Sequence, residues 1–121
     1  MASNKKDSVI TIAVQLDENK VPEIIKWTAT DSTADNMQVA KAMLVNFWDG
    51  QDKAALRIDL WTQEMMIDEM VDFYYQNFLG MAETLERSTG EKELANDLRS
   101  FAKAFFQKFQ EGQRNKQNVP S

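Results

Sequence analysis

The sequence predicts an α+β fold: a four-stranded antiparallel sheet followed by two antiparallel C-terminal helices packed on one sheet face. Two observations carry it. Apolar and polar residues alternate in short runs up to Trp61, which is the pattern of half-buried strands. Beyond Trp61 the apolar spacing lengthens to the period of a helix, so strands and helices are segregated along the chain.

Residues 1–8 are polar and are expected to form a disordered N-terminus ahead of a single domain spanning 9–111. In the first strand Ile10, Ile12, Val14 and Leu16 share one face, with Thr11 and Gln15 on the other. Asp17 to Lys20 is a polar turn. Pro22 can begin the second strand but not centre it, because proline has no ladder donor. That strand runs from about Glu23 to Thr30, with Ile25, Trp27 and Ala29 as its inward set. Residues 31–36 read as a loop. The stretch 37–49 suits either a helix or a strand, and the hairpin after it decides for a strand: a polar turn at 50–53 leads into the alternating Leu56-Arg57-Ile58-Asp59-Leu60-Trp61.

In the first helix Ile67, Met70, Tyr74, Phe78, Met81 and Leu85 form one apolar stripe, Asp68 and Glu69 favour its N-terminus, and Gly90 ends it. The second helix carries Leu94, Leu98, Phe101, Phe105 and Phe109, which places Phe101 in the core and Phe106 at a partly exposed edge. The segment 112–121 lacks periodicity and is expected to be a disordered tail.

Composition narrows the chemistry. The 121 residues suit one domain and contain neither cysteine nor histidine. Thiolate chemistry, histidine-based triads and the usual zinc sites are thereby removed, and no carboxylate, lysine or tyrosine stands in a recognisable catalytic spacing. The expectation is a protein that is not an enzyme and holds no cofactor and no metal. Asp31, Asp35, Asp49 and Asp52 lack the spacing of a calcium loop and are better explained as turn formers. A net charge of −5 repels phosphate backbones, so no nucleic acid is expected, although three tryptophans on a sheet keep a single-strand-binding module as an alternative. The first residues lack the apolar run of a secretory signal, and no stretch is apolar enough to span a bilayer, so a cytoplasmic location is expected.

The strand Leu56–Trp61 gives the candidate site. Leu56, Ile58 and Leu60 point one way, and Arg57, Asp59 and Trp61 the other. With Met43, Val45 and Phe47 inward, Leu44, Asn46 and Trp48 project outward beside Trp61, and Val9, Ala13 and Ile24 can extend the patch across the sheet. A face mixing tryptophan, leucine and arginine suits a protein interface, since Trp and Arg are the enriched anchor types. The predicted partner-binding residues are Arg57, Asp59, Trp61, Trp48 and Leu44. Two helices cover only one side of a sheet, so a second copy on this open face, giving a homo-oligomer, is the simplest cover.

The chain also resembles the GldC family of Bacteroidetes. The carrying residues are Leu16-Asp17-Glu18-Asn19 with Val21-Pro22-Glu23, Trp27-Thr28-Ala29, Ala40-Lys41-Ala42, Trp48-Asp49, and above all Leu56-Arg57-Ile58-Asp59-Leu60-Trp61-Thr62 leading into Asp68-Glu69-Met70. Met81-Ala82-Glu83-Thr84, Glu86-Arg87 and Thr89-Gly90 add to them. It covers about residues 9–109, and departs from the family where Met66 replaces an expected proline and where the tail after Gly112 is long. The resemblance implies an accessory role in gliding motility, whose machinery overlaps the type IX secretion system. It implies protein partners from that machinery, and a cytoplasmic place or a peripheral one at the inner membrane through a partner. It supplies no catalytic residue. Four strands and then two helices is also the order of SecB-type export chaperones, an analogy of architecture alone that makes a chaperone-like module the other alternative.

Overall fold

The strands form by pairing with their neighbours in the chain. The computed structural model describes residues 6–30 and 36–117, and its contacts divide the chain into two units, residues 1–65 and 66–121. In the first unit lie β1 (Ile10–Leu16), β2 (Pro22–Ala29), β3 (Gln38–Ala40), β4 (Ala42–Asp49) and β5 (Ala54–Trp61). All pairings are antiparallel, in a three-stranded sheet of order β1-β2-β3 and a two-stranded sheet of β4 and β5. The turn between β1 and β2 is built by Asp17, whose Oδ1 accepts the N–H of Asn19 at 2.8 Å and of Val21 at 2.9 Å. Lys20 takes a positive φ of 64° there. The β1–β2 register shifts between Gln15 and Leu16, opposite Pro22, which cannot donate.

A single four-stranded sheet is corrected by this arrangement. The stretch 37–49 is extended, as predicted, but it breaks at Lys41 into β3 and β4. β3 follows β2 only as far as Ala40 opposite Ile25, and continuing that ladder would soon meet Pro22. The Lys41 carbonyl instead accepts both the Thr62 N–H at 2.8 Å and the Thr62 Oγ1 hydroxyl at 3.0 Å. The chain thereby changes partner from β2 to β5. Of the expected inward set on β2, Ile25 is fully buried while Trp27 remains exposed.

The second unit contains α1 (Ile67–Thr89) and α2 (Lys92–Gln117). Met66, at the N-cap, has no side-chain oxygen to offer, but the Glu69 carboxylate accepts its N–H at 3.1 Å. Gly90 closes α1 in the left-handed conformation, φ 74°, donating to the Glu86 carbonyl at 2.8 Å. The helices meet along a seam of small residues, Ala82, Ala95 and Ala102, each fully buried. Tyr75 stacks on Phe106 with ring centroids 4.6 Å apart, and Arg99 Nη1 reaches Glu86 Oε1 at 2.9 Å.

Two expectations about the helices change. Phe106 is partly exposed, as expected, and its ring stacks on Tyr75 of the other helix. Phe101 is 56% exposed, although its ring meets Phe78 at 5.6 Å and Phe105 at 6.1 Å. The expected disordered tail from Gly112 is helical through Gln117. One glycine costs a helix only ~1 kcal/mol, and Arg114 and Lys116 in the last turn complement the dipole. Residues 31–35, expected to form a loop, and residues 1–5 and 118–121 lie outside the described residues.

Candidate functional site

The eight-residue ladder between β4 and β5 runs without a register shift. It is closed by a turn in which Asp49 Oδ1 accepts the Gln51 N–H at 3.0 Å and Lys53 takes a φ of 51°. Because directly paired residues share a face, the register sorts the hairpin into two surfaces. One holds Met43 with Leu60, Val45 with Ile58, and Phe47 with Leu56. The other holds Ala42 with Trp61, Leu44 with Asp59, Asn46 with Arg57, and Trp48 with Ala55. All five candidate residues therefore lie on the same face.

Their spacing differs from the expected cluster. Trp48 and Trp61 occupy opposite ends of the hairpin, roughly 20 Å apart at ~3.3 Å per residue, so they do not stand beside each other. Both are well exposed, at 69% and 58%. Between them Arg57 Nε donates to Asp59 Oδ2 at 3.1 Å. The other carboxylate oxygen of Asp59 has no hydrogen-bond partner. Leu44, opposite Asp59, is half-buried. Ala13 and Ile24 belong to the other sheet and Val9 lies just ahead of β1, so they do not extend this ladder.

Alternation alone did not reveal that the opposite surface is also open. Phe47 is 59% exposed and Leu56 55%, and Ile58 is exposed too. An apolar set on a strand reads as inward whatever covers it, and the only sequence signal was that this run continues through both strands.

Elsewhere the polar groups have structural work. Asp68 and Asp72 line an open groove of about 600 Å³ with Phe109 and Arg114, but Asp68 Oδ1 accepts the Glu69 N–H at 3.0 Å and Asp72 takes the Gln76 amide at 3.2 Å. A larger groove of about 730 Å³ along α1 is lined by Phe73, Asn77, Gly80, Thr84 and Leu85, with no titratable side chain among its lining. No group of three or more Asp or Glu able to hold a metal occurs among the described residues. Asp31 and Asp35 lie outside them, and Asp49 serves its turn.

A family model described as gliding motility-associated protein GldC-like matches residues 22–111. The chain belongs to the GldC-like family. The GldC-like segment begins at the first residue of β2 and ends inside α2, so it includes the whole β4–β5 hairpin and leaves β1 outside. The family description names motility and no reaction. No curated protein and no solved structure matches this GldC-like chain. No described helix is long and apolar enough to cross a membrane.

Proposed function

We propose that this GldC-like protein is a non-catalytic accessory component of gliding motility that binds another protein through the β4–β5 face bearing Leu44, Trp48, Arg57, Asp59 and Trp61. The observation that carries the reading is the ladder register, which aligns these side chains on one surface with a tryptophan exposed at each end. Tryptophan supplies large apolar area with one polar donor, and arginine supplies a planar fork for carboxylates. Set on paired strands rather than a loop, such anchors lose little freedom on binding. The length of the face favours an extended partner segment lying along the hairpin over a small ligand, which requires a concave site. The partner belongs to the motility or secretion machinery and is met in the cytoplasm or at the inner membrane.

The test is affinity capture from the native cells with the parent and with Trp61→Asp. A desolvated, unpaired carboxylate is costly at an interface and tolerated on an exposed strand. The expected result is a motility-machinery protein captured by the parent and lost with the variant, whose circular dichroism is unchanged. Equal capture by both proteins refutes the face.

A further inference from the structure

We infer that a second copy of this chain pairs along the outer edge of β5, two-fold about Ile58, joining two hairpins into a four-stranded antiparallel sheet. This pairing uses the backbone edge of β5 and shares Arg57 and Asp59 with the partner-binding face, so self-association and partner capture are read separately.

The hairpin itself raises the need. Among the described residues β4 and β5 form a two-stranded sheet of their own, and two strands alone make a marginal sheet in water. The Thr62 N–H to Lys41 carbonyl bond sets the alternation of the ladder. Residues 54, 56, 58 and 60 direct their backbone groups to β4, and Ala55, Arg57, Asp59 and Trp61 direct theirs outward. An edge of this kind is a template for another strand unless charged side chains, proline or a bulge guard it. β5 has no lysine, proline or bulge, and its two charges, Arg57 and Asp59, are of opposite sign, so they repel a strand in most registers and match one in the register below.

The sequence of β5 selects a second copy as the occupant, because it is self-complementary when reversed. With Ile58 facing its own counterpart, Leu56 stands opposite Leu60 and Arg57 opposite Asp59 of the other copy, each twice. The outward backbone groups of Arg57 then meet those of Asp59, the hydrogen-bonded geometry that an antiparallel pair requires. The two arginines and two aspartates alternate in a ring, so each Asp59 carboxylate faces a guanidinium of the other copy as well as the Arg57 of its own chain. No equivalent exists on β4, where reversal about Val45 sets Leu44 against Asn46 and Met43 against Phe47 without any charge pair.

The test exploits the same symmetry. Arg57→Asp alone gives a homodimer with like charges opposed, and so does Asp59→Arg alone; mixed together, the two variants oppose unlike charges at every position while the Arg57–Asp59 pair within each chain stays broken. Sedimentation equilibrium should find the parent at twice its 13.9 kDa chain mass, each variant shifted at least tenfold toward monomer, and the equimolar mixture dimeric again. Amide exchange of the parent should show Arg57 and Asp59 protected to a degree that rises with protein concentration. A monomeric parent, or variants that dimerise alone as tightly as the parent, overturns the inference. A mixture that stays monomeric beside a dimeric parent also overturns it. Trp61 stands at the end of this pairing, opposite Ala55, so the charge variants rather than Trp61→Asp decide the edge: if they dimerise as tightly as the parent, the edge is refuted whatever the parent captures.

Discussion

Thr62 brings two hydrogen-bond donors to one carbonyl. Its N–H and its hydroxyl both reach Lys41 O, and it is the one buried polar residue among those described. Thr62→Val keeps the shape and the N–H bond but loses the hydroxyl, so it should cost about 0.5–1.5 kcal/mol in a denaturant melt. Gly90 is the second position where a single residue matters. Its φ of 74° suits glycine, and Gly90→Ala should cost about 1 kcal/mol by the same measurement, with no change in helix content at low denaturant. The candidate face was legible at this scale, because alternation places Arg57, Asp59 and Trp61 together whatever the strand pairs with. The distance from Trp48 to Trp61 was not legible, since it depends on the register, and the register is set by a turn whose positive φ falls on Lys53 rather than on Gly50.

Among the elements, the helices were the most readable. The stripe spacing located α1 and α2, and Gly90 located the turn, but the stripe singles out the largest apolar residues and so misplaced the seam. Closest approach between helices is set by the smallest side chains, here Ala82, Ala95 and Ala102, which attract no attention in a sequence. The consequence is an inverted ranking of mutations. Ala102→Leu must force the helices apart and should cost about 1–3 kcal/mol. Phe101→Ala removes a half-exposed ring and its edge contact with Phe78, about 1 kcal/mol rather than the 3–5 of a buried phenylalanine. Chemical denaturation of the two variants side by side checks the order. The break at Lys41 was hidden for a different reason: Ala40-Lys41-Ala42 contains no glycine or proline, and the strand changes partner because of Pro22 and Thr62, far from it in sequence.

For the molecule, the described core is slight. Ile25 is the one large side chain fully buried, while Phe47, Leu56, Trp48, Trp61 and Phe101 are all exposed. Such a chain should draw stability from association, so its thermal midpoint should rise by several degrees over a hundredfold increase in concentration, read by circular dichroism. A midpoint independent of concentration would assign the stability to the single chain. The pairing pattern has one more consequence, for how the chain acquires its shape. The main contacts join consecutive elements: β1 with β2, β2 with β3, β4 with β5, and α1 with α2. Little loop entropy must be spent before a contact rewards it. Each hairpin can close within microseconds of its second arm becoming available, on the order of 1–10 μs, far faster than a ribosome adds one residue at ~5–20 per second. The chain should therefore emerge from synthesis already zipped, piece by piece from its N-terminus, and the slow step in making the working protein should be the meeting of two finished chains.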